Sequence, residues 1–253
     1  SETLDGQAWE DYRMIPAGGT GIEEIRLMGR AAATVEFGST APPSRTAGRL
    51  LRERFETPLY SMPLPIGVRT SDHFFEALAE ISGRPVPNLH AAERGRLVDA
   101  YVDGHKYLSG RRAVVYGEED LVAALAGLLV EVGVTPALLA TGGESGLLQE
   151  ALRRDVPDLP EGSAVRTAAD FMEIEEEARE LSPDIVIGNS KGSKLARAVG
   201  VPLVRVGFPV HDRVGGARML HLGYRGTQQL FDRIANALIE ARQEASTVGY
   251  FYM

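Results

Sequence analysis

The side chains with chemical potential gather in one stretch, Asp184 to Arg213, which reads DIVIGNSKGSKLARAVGVPLVRVGFPVHDR. Asn189, Ser190 and Lys191 sit in a small-residue loop between Gly188 and Gly192. Arg205 stands inside an apolar run, and His211, Asp212 and Arg213 follow a second turn. Backbone N–H groups at a helix start can hold an anion, and Lys191 would add charge. On that reading Ser190, Lys191, His211 and Arg213 converge on a crevice that favours an anion or an acidic partner surface. A plainer reading stands beside it. The loop is also a tight turn, with Asn189 and Ser190 capping the next helix and the glycines permitting positive φ or close backbone approach. Asp212 and Arg213 read as a structural ion pair or strand-end cap. Arg205, a charge within an apolar strand, needs a partner, whether a buried structural one or one across a rim facing another subunit. The spacing is neither GxGxxG nor GxxxxGK followed by Ser or Thr, so no nucleotide motif supports the anion. No nucleophile–base or acid–base set stands at recognisable spacing, and no catalytic residue is assigned.

The elements that must position these residues follow from periodicity. Ile185–Ile187 and Leu203–Val206 are short apolar runs, with a turn and a helical series at Leu195, Ala196, Ala198 and Val199 between them. That is a βαβ unit with a right-handed crossover in a parallel sheet, where ligands sit beyond the carboxyl ends of the strands. Upstream, Ala113–Tyr116, Ala137–Ala140 and a weak run at Ala164–Arg166 add three strands. Helices are predicted through Leu121–Val132, through Leu147–Leu152, over Phe171–Leu181 as an acidic, surface-facing helix, and over about 226–243. Five strands alternating with helices predict a complete doubly wound domain over 111–253. A long helix at Leu89–Leu108, with His105 as a packing residue, is read as a bridge over 85–110. Residues 1–84 hold strand candidates at 13–15, 33–37 and 59–62. Helices are predicted from Thr20, with Glu23 at capping-box spacing, after Pro42, and from a Thr70-Ser71-Asp72 cap. The fold class is therefore α/β: a doubly wound, Rossmann-like parallel-sheet domain preceded by part of a second similar domain. His221 and Tyr224 read equally as part of the rim surface and as packing.

Composition bounds the function. The 253 residues are 44% hydrophobic and 25% charged, ordinary for a globular chain with a sizeable core. A net charge of −8 argues against a nucleic-acid face and leaves no polybasic membrane patch. No run of about 18 apolar residues predicts a transmembrane helix. The acidic start, Ser1-Glu2-Thr3-Leu4-Asp5, lacks the basic region of a signal peptide, so the cytoplasm is expected. There is no cysteine. Disulfides, cysteine nucleophiles and thiolate-held clusters are thereby excluded within this chain. The five histidines are scattered without HExxH, and no metal site is expected in it.

Five blocks together resemble the β-type subunits of the nitrogenase component 1 family: RMIPAGGTGIEEI (13–25), MPLPIGVRTSDHFFEALAEISGRPVP (62–87), ERGRLVDAYVDGHKYLSGRRAVVYGEEDL (93–121), the Asp184–Arg213 stretch, and LGYRGTQQLFDRIANALI (222–239). The resemblance runs through nearly the whole chain, in order. It implies a subunit of three α/β domains, of which this chain holds the end of the second and all of the third. The cluster-ligating cysteines of the family lie in the first domain, so no cofactor is expected in this part, while the full-length complex resembles iron–sulfur and iron–molybdenum cofactor proteins. The implied partners are an α-type subunit of the same family, in a hetero-oligomer, and a reductase (iron) protein. Two features resemble the scaffold on which the iron–molybdenum cofactor matures: the short segment from Lys191 to Pro202 and the run VGGARMLHLGYRGT after Arg213. A catalytic molybdenum–iron β chain and a free-standing small-molecule binding protein are the alternatives. His211 departs from the family's usual aromatic residue at that place.

Overall fold

The computed structural model describes residue 14, residues 20–42 and residues 46–247. The chain divides into two compact units, residues 1–36 with 43–60, and residues 37–42 with 61–253. In the first part of the chain lie α1 (Ile22–Arg26), β1 (Thr34–Phe37), α2 (Ala47–Phe55) and β2 (Leu59–Met62), with β1 and β2 forming a two-stranded sheet. The strand expected at 13–15 falls, except for Met14, outside the described residues. The α1 helix starts one residue later than its expected capping box. The Glu24 carboxylate accepts the Gly21 N–H at 2.9 Å, while Glu23 turns to Arg26.

Two long helices, α3 (Val68–Ser82) and α4 (Asn88–Leu108), lead into the five-stranded sheet. Its elements are β3 (Arg112–Tyr116), α5 (Glu119–Glu131), β4 (Thr135–Ala140), α6 (Leu148–Asp155), β5 (Ala164–Arg166), α7 (Phe171–Leu181), β6 (Ile185–Gly188), α8 (Ser193–Val199), β7 (Leu203–Arg205) and α9 (Gly223–Glu244). The strand order is β5-β4-β3-β6-β7 and every pair is parallel. The order reverses between β3 and β6, which is where α/β sheets open a crevice beyond their carboxyl ends. The pairing of Gly188 with Arg205 brings the loops after β6 and β7 out at the same level.

Alternation along the strands sorts the core. Val115 and Ile187 face Leu125, Leu129, Leu230 and Ile234 on one side. Val114, Tyr116 and Val186 face Ile174, Ala178, Leu195 and Ala196 on the other. Both sides are covered, so the strands read as unbroken apolar runs rather than alternating ones. The α7 helix is less peripheral than its acidic sequence implies. Ile174 and Ala178, four residues apart, are buried beneath it. Asp170 caps it by accepting the Met172 and Glu173 N–H groups, and Glu173 returns a bond to the Asp170 N–H.

The start of α3 departs from expectation for a tertiary reason. Thr70, Ser71 and Asp72 do not cap it; the helix begins at Val68. The Glu131 carboxylate, from the end of α5, accepts the Val68 and Arg69 N–H groups at 2.8 and 3.0 Å. Burial pushes the Glu131 carboxyl above its ordinary range, against the pull of those two N–H groups. Asp72 is thereby released for another role, described below. No described helix is long and apolar enough to cross a membrane.

Candidate functional site

The loop after β6 is built against Tyr116, the last residue of β3. The Tyr116 hydroxyl donates to the Asn189 carbonyl and accepts the Gly192 N–H at 2.9 Å. A Cβ on Gly188 or Gly192 would lie 2.4 or 2.2 Å from Tyr116 side-chain atoms. The two glycines therefore serve close approach, and the group they approach is the protein's own tyrosine. Neither has positive φ. Burial raises the Tyr116 phenol above its ordinary value, keeping it a neutral donor.

The loop N–H groups have internal acceptors. Ser190 N–H donates to the Pro209 carbonyl at 3.0 Å, Lys191 N–H to Asn189 Oδ1 at 3.0 Å, and Gly192 N–H to Tyr116. Asn189 caps the turn as expected, but the expected cradle of free N–H groups is not there. An anion at this rim would have to be met by side chains.

Those side chains form a network across the two loops. Arg205 Nε lies 2.8 and 2.9 Å from the two Asp212 carboxylate oxygens, and its Nη2 lies 2.6 Å from Oδ2. Its remaining nitrogen donates to the Leu203 carbonyl, and Nη2 also reaches Ser193 Oγ. Only 12% of the Arg205 side chain is exposed. The partner that an arginine in an apolar strand requires is thus Asp212, seven residues on. Buried Ser190 donates to the same carboxylate and accepts the His211 N–H at 3.2 Å. The Arg205 and Ser190 bonds hold the Asp212 carboxyl well below the usual carboxylate range. Arg213 is the weaker neighbour: it donates to the Asp212 carbonyl at 2.6 Å and stands 3.5 Å from the carboxylate.

The sequence-predicted residues therefore divide. Ser190, Arg205, His211, Asp212 and Arg213 line one polar crevice of about 790 Å³, which also takes in Ser193, Lys194 and Arg197. Lys191 is exposed and lines neither this crevice nor the next. Asn189 lines an apolar cavity of about 590 Å³ with Ile66, Leu121, Val206, Phe208 and His221. This second cavity lies at the β3–β6 switch. There Arg233 lies 3.3 Å from His221 Nε2, and burial with that nearby cation lowers the His221 pKa to about 4. The imidazole is neutral at pH 7, and the Arg233 contact assigns the proton to Nδ1. Sequence reasoning missed Tyr116, Ser193, Lys194 and Arg197. For Lys194 and Arg197 the signal was present, since a spacing of three puts both on one face of a helix.

The blocks that carry the resemblance meet elsewhere, among α3, α4 and α9. Arg94, from ERGRL, clamps Asp72 with two bonds of 2.8 Å. Tyr224, from GYRGT, donates to the same carboxylate at 2.7 Å and stacks on Phe75 with ring centroids 4.9 Å apart. Arg94 and Tyr224 lower the Asp72 carboxyl, outweighing burial, which is the largest single influence and acts upward. Thr227 Oγ accepts the Gly67 N–H at 3.0 Å. Tyr224 is thus a packing and clamping residue within this framework.

This framework has known counterparts. A family model for the nitrogenase component 1 type oxidoreductases matches residues 3–239. The chain belongs to that family. It is 32% identical over 248 residues to the nitrogenase molybdenum–iron protein beta chain of Clostridium pasteurianum, covering 98% of this chain and 54% of that one. It is 38% identical to the corresponding beta chain of Methanothermobacter marburgensis, covering 93% and 50%. It is 31% identical to the nitrogenase iron–molybdenum cofactor biosynthesis protein NifN of Bradyrhizobium diazoefficiens, covering 96% and 49%. The solved structure titled "Nitrogenase Cp1 at pH 6.5" superimposes with a TM-score of 0.91 at 31% identity, over 99% of this chain and 54% of that chain. The chain spans about half the length of the curated relatives it matches.

The residues present do not make a donor set for an iron–sulfur cluster. The sequence has no cysteine, and among the described residues no three His, Asp or Glu side chains gather where a metal ion could be held.

Proposed function

We propose that the chain is the carboxy-terminal part of a β-type subunit that pairs with an α-type subunit and serves as a scaffold for maturation of the nitrogenase iron–molybdenum cofactor. In this reading residues 1–84 belong to a central α/β domain, 85–110 bridge, and 111–253 form the carboxy-terminal domain. The observation that carries it is the connection between β6 and β7. It holds one tight turn and the seven residues of α8, without the longer insertion often found in catalytic β chains. The complex would be cytoplasmic and would meet a reductase protein. This chain's own contribution is framework: the Asp72–Arg94–Tyr224 clamp and the Arg205–Asp212 lock hold helices and loop ends in place, while cofactor chemistry belongs to residues outside it.

A second reading, the β chain of a catalytic nitrogenase, is favoured by identity: 38% and 36% to two molybdenum–iron beta chains against 31% to the cofactor biosynthesis protein. One experiment separates them. The full-length subunit is co-purified with its α-type partner and given two assays, acetylene reduction with a reductase protein and activation of a cofactor-free nitrogenase. Activation without acetylene reduction is expected. Vigorous acetylene reduction by the complex itself would replace the scaffold with the catalytic chain.

A further inference from the structure

The polar crevice at the edge of the sheet is lined by an excess of cations. Its lining carries four cationic side chains, Lys194, Arg197, Arg205 and Arg213, against the single carboxylate of Asp212. Arg205 consumes that carboxylate through a short two-point contact, with Nη2 at 2.6 Å from Oδ2. Arg213 reaches it only at 3.5 Å, with more than half of its side chain exposed. Lys194 and Arg197 have no side-chain hydrogen bond or ion pair among the described residues. They stand on one face of α8, three residues apart. This local excess of positive charge stands in a chain of net charge −8.

We propose that this crevice binds a small, multiply charged anion whose oxygens are met by Lys194, Arg197 and Arg213, with the Arg205–Asp212 lock as a rigid floor. Guanidinium groups suit carboxylate and phosphate oxygens equally, so the shared chemistry is two or more anionic oxygen-bearing groups on one molecule. Concavity selects a small anion over a flat acidic protein face. The overall negative charge selects it over a nucleic-acid polymer, which the rest of the surface would repel. The inference does not depend on whether the full-length subunit is a scaffold or a catalytic chain.

The test is calorimetric titration of the chain with pyrophosphate and, separately, citrate, at about 20 mM and about 200 mM salt, where screening differs about threefold in length. Saturable one-to-one binding of at least one probe is expected, weaker at the higher salt. Whichever probe binds more tightly assigns the site to phosphates or to carboxylates. Lys194→Gln with Arg197→Gln should raise Kd at least tenfold while leaving the thermal melt in place, since neither side chain holds the fold together. Lys106→Gln, at an exposed position of α4, should leave Kd unchanged. Failure of both probes to saturate overturns the proposal. So does binding that the double variant does not weaken, or that Lys106→Gln weakens equally. If neither probe binds but the double variant loses affinity for the α-type subunit, the crevice is a protein docking surface and the small-anion assignment is wrong.

Discussion

The same substitution, glycine to alanine, is expected to have opposite effects at two positions of α4. At Gly95 a Cβ would meet nothing within 4 Å. There alanine only adds helix preference, a gain of about 0.5–1 kcal/mol. At Gly104 the new Cβ would lie 2.4 Å from Phe231 Cζ and 2.9 Å from Cε1. Carbon atoms rest about 3.5–4.0 Å apart, so more than about 1 Å of overlap must be relieved. The ring cannot simply swing away. Phe231 is 3% exposed, and Tyr101 stands against it at a centroid distance of 5.0 Å. Relief must come from parting α4 and α9, an overpacking penalty of about 1–3 kcal/mol, of which the helix preference returns a part. Gly104→Ala should therefore lower stability by about 1–2 kcal/mol, or Tm by roughly 2–8 °C, while Gly95→Ala raises Tm by roughly 1–4 °C. Urea and thermal melts followed by circular dichroism read both. Phe231→Leu, damaging alone, should be less than additive with Gly104→Ala, because each relieves what the other strains. Equal stabilisation by both alanines would refute the close helix contact on which the reasoning rests.

Other expectations concern the site and its supports. Tyr116→Phe removes the hydroxyl shared by the Asn189 carbonyl and the Gly192 N–H, leaving two backbone groups without it, and should lower the urea-derived stability by about 1–3 kcal/mol. His221 takes its proton near 4 in the folded chain and near 6.5 when unfolded, so its contribution to stability is full above pH 6.5 and is lost as pH falls toward 4. With solvent screening of a partly exposed ring, the loss is on the order of 1–2 kcal/mol, and denaturation of His221→Gln across that window should show a flatter pH dependence than the parent. Lys191→Glu alone should leave both the melt and anion titrations unchanged, since Lys191 lies outside the crevice lining; a large loss of binding would return it to the site. Limited proteolysis should cut within residues 1–60 before it cuts the doubly wound unit, and early cleavage within 111–243 would contradict the assignment of the continuous core to that part.

The sheet was legible because its signals are local and redundant. Three of the five strands hold apolar runs of three or more residues bounded by turns, and the helices between them carry apolar residues at helical spacing. The start of α3 was illegible because its cap comes from Glu131, about sixty residues away in sequence, and no window around Thr70–Asp72 contains it. The rim was legible in part. The need of Arg205 for a partner could be read from its apolar neighbours, but the choice between Asp212 and a neighbouring subunit depended on how the chain turns after Gly207. Tyr116 gave no sign of its role, because a tyrosine ending a buried strand looks like core until the loop it supports is placed over it.

The division of labour among these residues bears on what family membership can reveal. Arg94 and Tyr224, which mark the family in the sequence, are spent on Asp72, and the loop glycines are spent on Tyr116. Groups with satisfied partners stabilise a framework that any member with the same helices could use, whatever chemistry its other domains carry. The groups that can distinguish one member's role from another's are those the framework leaves without partners. Lys194 and Arg197, exposed on a seven-residue helix whose ends are fixed by two strands, are two such groups among the described residues, and both line one crevice. From an exposed face their charge contributes at most about 1 kcal/mol to the fold. A function for them must therefore be sought in what they attract.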